Sequence, residues 1–228
     1  MKTPVITIDG PAGVGKSTLA RLLAARLHLP CLDTGAMFRF LALRLGPAAP
    51  DLPESSLREL AGKWRFALDG SGSETRLLAN GEPVGMEIRT EEAALLASKL
   101  GAREEIRRIL AAAQRQIGES QALVAEGRDL GTVVFPDAAV KFYLEATPRV
   151  RAERRWKDLR HLPDAPDIAT LEKQIARRDQ QDRERPIAPL RPAADAIIVD
   201  TSALTLPEAL EILVRESARL APGGFRPA

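Results

Sequence analysis

The sequence predicts an α/β fold, a parallel sheet with helices on both faces. The first observation is an alternation of five short, apolar segments with stretches of helical periodicity. A second is the glycine-rich loop that joins the first strand to the first helix, which is typical of phosphate-binding α/β proteins. Near residues 65–85 the pattern changes, because turn signals separate short strands there, and this indicates a small antiparallel insertion.

The N-terminal elements follow from apolar runs and helical spacing. Val5–Ile8 is an apolar strand that ends in Asp9-Gly10, and leucines recur at helical spacing over Lys16–Leu27. Next we expect a strand over 29–32, a helix over 36–45, a proline- and alanine-rich linker over 46–53 and a helix over 54–64.

The remaining elements begin with the insertion, where Asn80-Gly81 is a strong hairpin signal between short strands over 65–69, 75–79 and 82–85. Buried strands are predicted at 122–125, 140–144 and 196–199. Helices are predicted at 91–100, 103–117, 148–159, 168–185 and 207–220.

Composition narrows the class of protein. A chain of 228 residues, 45% hydrophobic and 28% charged, suits one soluble core with a small satellite. No apolar run approaches the length of a membrane span, and the N-terminus lacks a signal-peptide pattern. The single cysteine, Cys31, excludes an intrachain disulfide. A net charge of +2 gives no reason to expect nucleic acid. We therefore expect a cytoplasmic protein without a membrane or nucleic-acid partner.

The loop Gly10–Ser17 fits the pattern G-x-x-x-x-G-K-[ST], with the required strand before it and helix after it. Glycine lets successive N–H groups turn inward around phosphate oxygens, and the following helix adds its positive end. Lys16 is placed to reach the β- and γ-phosphates, and Ser17 to ligate Mg²⁺. The residues expected to bind ATP are Gly10, Pro11, Ala12, Gly13, Val14, Gly15, Lys16, Ser17 and Thr18.

Other parts of the chain limit the class of phosphate-loop protein. A regulatory GTPase needs an Asn-Lys-x-Asp segment, which this sequence lacks, and Asp69-Gly70-Ser71-Gly72 lies in the hairpin region and is interpreted as a turn. At this length a small-molecule kinase is favoured, and such an enzyme needs basic groups beyond the loop. A non-catalytic nucleotide switch or binding module remains the alternative from another class.

Candidate basic groups follow two strands and lie on one helix. Arg39 follows the second strand and Arg128 follows the strand 122–125. Arg178, Asp182 and Arg185 have i, i+4, i+7 spacing and share one helix face. Either a lid that closes over phosphates or a solvated, salt-bridged surface satisfies that spacing.

Several segments, in order along nearly the whole chain, resemble bacterial cytidylate kinases, which phosphorylate CMP and dCMP with ATP. Gly127–Ala138 is the most specific of them. The others are Ile6–Pro11 running into the phosphate loop, Asp33–Ala36, Glu87–Thr90 and Ile187–Leu190. The resemblance implies a nucleoside-monophosphate-kinase fold with a five-stranded parallel sheet. We expect the protein to be a monomer. It also implies a core of about 1–60, 120–150 and 190–228, a nucleotide-binding insertion of about 61–119 and a lid of about 151–189.

The resemblance also implies roles for individual residues. Lys16, Arg39, Arg128 and Arg185 would be catalytic, the three arginines by holding the acceptor phosphate. The group that binds the base would be Ser98, Arg107 and Asp129, and the group near the sugar Thr34, Arg178 and Asp182. Asp129 suits the exocyclic amine of cytosine and not the carbonyl of uracil. Kinases of the same fold acting on UMP, AMP or shikimate remain alternatives.

Four positions depart from the pattern of that family. Thr34 and Phe38 stand where serine and tyrosine are expected, and Phe38 lacks the hydroxyl. Glu126 replaces an aspartate and is longer by one methylene, which is expected to shift a contact. Ser17 stands where glycine is common.

Overall fold

A computed structural model describes residues 3–161 and 165–221. Its strands, in chain order, are β1 Val5–Asp9, β2 Cys31–Asp33, β3 Phe66–Asp69, β4 Arg76–Ala79, β5 Glu82–Pro83, β6 Leu123–Glu126, β7 Val140–Glu145 and β8 Ile197–Asp200. The helices are α1 Lys16–Arg26, α2 Thr34–Leu45, α3 Glu54–Ala61, α4 Glu91–Leu100, α5 Glu104–Ser120, α6 Pro148–Leu159, α7 Ile168–Glu184 and α8 Leu206–Leu220.

The main sheet has five strands in the order β2-β6-β1-β7-β8, and every neighbouring pair is parallel. Alternate residues of β6 show why helices cover both faces. Leu123 and Ala125 pack into the cluster that includes α2, α3 and α5, whereas Val124 packs into the cluster that includes α1 and α8. The predicted fold class is therefore confirmed.

The insertion contains a three-stranded antiparallel sheet in the order β3-β4-β5. Asn80 and Gly81 both have positive φ, 52° and 88°, which is the geometry of the predicted hairpin turn between β4 and β5. Gly72, in the connection before β4, donates its N–H to the Leu29 carbonyl at 2.8 Å and ties the insertion to the main sheet's side of the molecule.

Several local predictions differ from the structure. The helix predicted over 54–64 ends at Ala61, the helix predicted over 103–117 continues to Ser120, the helix predicted from residue 36 already begins at Thr34, and the strand predicted over 82–85 ends at Pro83. The strand expected at residue 29 begins at Cys31, because His28 adopts a φ of 53° and Leu29 donates its N–H to Ala24, so both residues still close α1. Residues 130–134 form a short π-helical turn, Leu130–Val134, for which no periodicity was recognised.

The described residues cover most of the predicted units. Residues 162–164 of the predicted lid and 222–228 of the predicted core lie outside them. Among the helices that the structure does describe, none has both the length and the hydropathy needed to cross a bilayer.

Candidate active site

A cleft of about 900 Å³ opens at the carboxyl end of the main sheet. Three strands end there: β1 leads into the phosphate loop, β2 into Thr34 and β6 into Gly127. Ligands of open parallel sheets bind at this edge because successive loops converge there. Residues from α2, α4, α5, α6 and α7 line the rest of the cleft. The fold thus brings together chain segments that are far apart in sequence.

The phosphate loop has the backbone that its glycines predict. Gly13 and Gly15 have φ of 80° and 92°, in the left-handed region, and α1 starts at Lys16. The Lys16 ammonium donates to the Pro11 carbonyl at 2.7 Å, across the mouth of the loop. Of the predicted ATP-binding residues, the cleft is lined by Ala12, Gly13, Gly15, Lys16, Ser17 and Thr18.

The other three loop residues do not line the cleft. Val14 points into the core beneath the sheet, 1% exposed. At Gly10, φ is 147° and a Cβ would collide with the Leu144 carbonyl, so the strand must leave the sheet through glycine here. Gly10, Pro11 and Val14 therefore shape the loop and do not present side chains to the cleft.

Lys16 is 5% exposed, and burying its positive charge is energetically unfavourable. Burial, followed by the nearby Arg128 guanidinium, lowers the pKa of the Lys16 ammonium to about 7. The carboxylates of Glu126 and Asp9 act in the opposite direction. An anion in the loop would favour the charged form, so Lys16 is arranged to receive one.

Three of the four departures from the family pattern meet in the structure. The Ser17 hydroxyl donates to Glu126 Oε1 at 2.7 Å, and the Thr34 hydroxyl donates to the Glu126 carbonyl oxygen at 2.7 Å. Burial and the neighbouring Asp33 raise the pKa of the Glu126 carboxyl. The extra methylene of Glu126 therefore ends in a direct contact with the serine hydroxyl of the phosphate loop.

Asp33 organises the arginines at the start of α2. It accepts the Ala36 N–H at 2.9 Å as the helix N-cap, and it pairs with Arg39 at 3.0 Å and with Arg89 at 2.9 Å. Burial raises the pKa of Asp33, but the two guanidiniums outweigh burial and hold it below its usual value. Arg39 is consequently positioned at the cleft before any ligand binds.

All three predicted base-binding residues line the cleft, and two of them, Arg107 and Asp129, are in contact. Arg107 Nη1 lies 3.0 Å from Asp129 Oδ2, and Arg107 Nε donates to the Gly101 carbonyl at 2.8 Å. The Arg107 guanidinium also lies 5.6 Å from the centroid of the Phe38 ring, a contact that needs no hydroxyl. Ser98 lines the same cleft.

The face predicted for α7 is turned to this cleft: Arg178 and Asp182 on the helix, and Arg185, which caps its C-terminus in an extended conformation, all line it. Asp182 lies 3.3 Å from Arg128 Nε and 3.6 Å from Arg185 Nη1. Burial and Arg128 lower the pKa of Arg178, and burial and Arg107 lower the pKa of Arg185 to about 10. Crowded, desolvated cations of this kind are typical of a site that binds an anion.

Two guanidinium donors are left without a hydrogen bond within the described structure: Arg39 Nε and Arg185 Nη2, both buried. The oxygen of Asp129 nearest to Arg185 Nη2 is 3.6 Å away, beyond hydrogen-bond distance. Basic side chains outnumber acidic ones in the cleft lining. The basic ones are Lys16, Arg39, Lys99, Arg107, Arg128, Arg154, Arg155, Arg178 and Arg185, and the acidic ones Glu126, Asp129, Asp158 and Asp182. The arrangement favours polyanions.

Sequence reasoning missed the carboxylates that hold the site together. Asp9 accepts the N–H groups of Leu130 and Gly131 at 3.0 and 2.8 Å, which joins the start of the phosphate loop to the segment that carries Asp129. Its position at the end of β1 was visible in the sequence, but its partners are more than 120 residues away. Asp33 and Arg89 lie in segments that carried the family resemblance, yet neither received a role.

Replacing Asp9 with asparagine is expected to remove a pH-dependent part of the stability. Burial raises the pKa of Asp9 from 3.8 to about 6, against the two backbone N–H groups. The folded protein therefore binds more protons than the unfolded chain between these values, and this group's contribution to stability falls as pH rises through that window. Asparagine does not titrate. As pH rises from 4 to 7, the unfolding free energy of Asp9→Asn, measured relative to that of the wild-type protein, should therefore increase by up to about 3 kcal/mol. Urea denaturation at stepped pH measures it.

A second variant with the opposite expectation serves as control. The Lys141 ammonium hydrogen-bonds Asp195 and lowers the pKa of that carboxyl, so its contribution is present at neutral pH and is lost as pH falls. Asp195→Asn should thus lose relative stability as pH rises. Parallel pH curves for Asp9→Asn and the wild-type protein would contradict the assignment for Asp9.

Comparisons with known proteins identify the family of this chain. The family model described as cytidylate kinase matches residues 6–219. A cytidylate kinase of Nitratidesulfovibrio vulgaris is 55% identical over 89% of this chain and 87% of its own length. A cytidylate kinase of Maridesulfovibrio salexigens is 48% identical over 96% of this chain and 99% of its own.

Among solved structures, a gluconokinase from Sinorhizobium meliloti 1021 has a TM-score of 0.50 at 16% identity, covering 97% of this chain and 95% of its own, and this likeness supports the fold alone. The family model spans every residue that lines the cleft, from Ala12 to Arg185. The chain belongs to the cytidylate kinase family.

Proposed function

We propose that this protein transfers the terminal phosphoryl group of ATP to CMP and dCMP, forming CDP and dCDP. One observation carries the proposal: a single cleft holds the phosphate loop and the Arg107–Asp129 pair, with a cluster of arginines beside them. A triphosphate on the loop and a nucleotide whose base contacts Asp129 would both fit in it. The family membership of the chain supports the same activity.

The donor phosphates would lie on the backbone N–H groups of the loop. Gly13 and Gly15 give the loop its inward curve, and Lys16 would bind the β- and γ-phosphates. The pKa of Lys16, about 7 in the ligand-free protein, would rise beside phosphate oxygens, so the ammonium form is stabilised by its substrate. Lys16 would then neutralise charge on the group in transfer.

Three arginines would hold the acceptor phosphate: Arg39, Arg128 and Arg185. The free Nε of Arg39 and Nη2 of Arg185 supply donors that have no other hydrogen-bond acceptor in the described structure. Arg128 is held at Asp182, and Arg39 at Asp33, so each is preorganised by a carboxylate. Fixed cations of this kind stabilise charge without reorganising during the reaction.

The base and sugar would bind through the remaining predicted residues. We propose that Asp129 accepts from the exocyclic amine of cytosine, while Arg107 and Ser98 complete the contacts to the base. Thr34, Arg178 and Asp182 would contact the sugar side of the nucleotide. The Arg107–Asp129 ion pair supports this assignment because it presents a donor and an acceptor side by side, as cytosine requires.

The residues near Ser17 suit a magnesium ion brought in with the phosphates. Ser17 Oγ and the Glu126 carboxylate are hard oxygen donors 2.7 Å apart. A cation beside Glu126 would offset the free-energy cost of burying its negative charge. Ser17 would ligate Mg²⁺ together with phosphate oxygens and water, and the ion would supply further charge neutralisation.

The protein's part in the chemistry is placement and electrostatics. We propose an in-line transfer without a general base, because the acceptor phosphate is already ionised at neutral pH. We also propose that the units of about 61–119 and 151–189 move as a nucleotide-binding insertion and a lid, and that closure keeps water from the transferred group. The monomeric state and cytoplasmic location remain predictions from the sequence.

Measuring ADP release across a panel of nucleoside monophosphates tests the function. The panel comprises CMP, dCMP, UMP, AMP and shikimate, with one reaction that lacks an acceptor. We expect rapid ADP release with CMP and dCMP and slow hydrolysis in the reaction without acceptor. A preference for another acceptor would support a different kinase of this fold, and persistent failure to consume ATP would favour a binding module. Hydrolysis of ATP without an acceptor at the rate of phosphoryl transfer to CMP would refute the proposal that closure keeps water from the transferred group.

Replacing Asp129 with alanine is expected to weaken the preference for cytosine over uracil. The carboxylate pairs with Arg107 and would accept from the amine that uracil lacks. Loss of this contact should cost about 1–3 kcal/mol, so the ratio of kcat/KM for CMP over UMP should fall by roughly 5- to 150-fold. The matched control is Asp158→Ala, which removes another carboxylate of the cleft lining. An unchanged ratio in the Asp129 variant would exclude its role in reading the base.

A further inference from the structure

A buried ion pair joins α6 to α7 behind the cleft. Arg151 is 1% and Asp179 2% exposed, and neither lines the cleft. Arg151 Nη1 lies 3.0 Å from Asp179 Oδ1 and Nη2 lies 2.5 Å from Oδ2, so the pair is bidentate. Burying two charges is unfavourable unless their remaining hydrogen bonds are satisfied. The other contacts of Arg151 therefore show what the pair is built to hold.

Those contacts reach two further segments of the chain. Arg151 Nε donates to the Ala146 carbonyl just after β7 at 2.9 Å, and Nη1 donates to the Ala12 carbonyl of the phosphate loop at 3.1 Å. A Cβ placed on Gly13 would lie 3.4 Å from the Arg151 Cβ, so the loop also packs against the arginine stem. One guanidinium thus contacts the sheet, the loop and helix α7.

The contact at Ala12 orients the loop. The carbonyl of Ala12 and the N–H of Gly13 belong to one planar trans peptide and point in opposite directions. Because Arg151 holds the carbonyl on its own buried side, the N–H of Gly13 is directed away from Arg151, towards the cleft that Gly13 lines. The hydrogen bond therefore helps to place a donor where a phosphate oxygen would bind.

The contact at Asp179 orients the lid helix. Asp179 directly follows Arg178 and precedes Asp182 by three residues, and both of these line the cleft. A bidentate pair restricts rotation of α7 about its axis more than a single hydrogen bond does. With Asp179 turned to Arg151, Arg178 and Asp182 face the cleft.

We propose that Arg151 is a positioning residue for phosphoryl transfer. It holds the phosphate loop and α7 in one fixed relation, so that the loop N–H groups and the arginines of α7 converge on the same phosphates. This inference rests on the proposed function, because that reaction is what requires both sets of donors at once. A pair that merely stabilised the fold would leave donor binding unchanged once stability was preserved.

Two changes separate positioning from stability. Arg151→Lys keeps the buried charge but cannot contact Ala12, Ala146 and both oxygens of Asp179 together. The double change Arg151→Met with Asp179→Leu removes both charges and preserves volume, and such replacements of buried ion pairs are often neutral or stabilising. The matched control is Arg149→Met on the same helix, since Arg149 pairs at the surface with Glu153 and with Glu172 of α7, forms no hydrogen bond or ion pair with the loop within the described residues, and has a side chain that is 54% exposed.

The experiment compares thermal unfolding, calorimetric affinity for a non-hydrolysable ATP analogue without CMP, and kcat and KM with CMP. We expect both Arg151 variants to fold, to bind the analogue at least tenfold more weakly and to lose kcat by about 10- to 100-fold, while KM for CMP changes less. Arg149→Met should stay within twofold of the wild-type protein.

A folded double variant that binds the analogue as the wild-type protein does would overturn the proposal. If that variant does not fold, wild-type affinity in Arg151→Lys has the same meaning, and unfolding of both would make the pair structural only. Failure of the proposed function is distinguishable, since it would appear as a wild-type protein that is inactive on CMP and dCMP. Analogue affinity would still test Arg151, because it depends on the loop.

Discussion

Replacing Lys16 with alanine is expected to lower kcat for CMP by at least about 10³-fold, with the fold intact. Lys16 is the buried cation of the loop, and a cation at the transferring group supplies several kcal/mol of transition-state stabilisation. Burial lowers the pKa of the Lys16 ammonium to about 7, so the folded protein bears a cost for this buried charge. The substitution removes that cost, and we therefore expect only a small change in the free energy of unfolding. Coupled measurement of ADP release, with thermal unfolding beside it, tests this expectation.

Lys99→Ala is the matched control, because Lys99 is an exposed lysine that also lines the cleft, on α4. It removes the same charge from the cleft without touching the loop, and its kcat should stay within a few-fold of the wild-type value. An unchanged rate in Lys16→Ala would overturn the assignment of the donor site. Equal losses in the two variants would instead indicate a general effect of charge on nucleotide binding.

Replacing Arg185 with alanine is expected to lower kcat/KM for CMP by about 10²- to 10³-fold. The guanidinium is crowded by Arg107 and desolvated, its Nη2 has no hydrogen bond within the described residues, and we propose that it binds the acceptor phosphate. Removing it deletes one of the fixed donors while the phosphate loop remains. Affinity for a non-hydrolysable ATP analogue should therefore change little, and initial rates at varied CMP measure the loss.

Arg177→Ala provides the comparison on the same helix. Arg177 is exposed and does not line the cleft, so its removal should leave kcat/KM within about twofold. If the two variants lose activity equally, the long-range charge of α7 would explain the effect, and a specific contact of Arg185 with the acceptor would be excluded. Weaker binding of the ATP analogue in Arg185→Ala would indicate that Arg185 binds the donor nucleotide and not the acceptor phosphate.

The local pattern of the sequence was enough to predict most of the fold. Apolar strands alternating with helical periods predicted the parallel sheet, and Asn80-Gly81 predicted the hairpin of the insertion. These signals are reliable because they depend on residues close together in the chain. Boundaries were less accurate where a local conformation intervened, as at His28, whose positive φ delays β2.

The site likewise has features that local sequence patterns predict and features that they do not. The phosphate loop was predicted with its residues because its motif is contiguous, and the spacing on α7 was predicted because it follows one helix. Whether that face was a solvated surface or part of a cleft stayed open from spacing, and the structure turns Arg178, Asp182 and Arg185 into the cleft. The pairing of Ser17 with Glu126 joins two departures from the family pattern that the sequence presented as unrelated.

By itself the sequence determined the fold class and the family to which the chain belongs, since each is carried by short segments with their own chemistry. The tertiary structure decided which charges face one another. Asp9 with the turn at Leu130, and Arg151 with both Ala12 and Asp179, are contacts between residues separated by 28 to 139 positions. No local period encodes such pairs, because they exist only when parallel strands bring their ends to the same edge of the sheet.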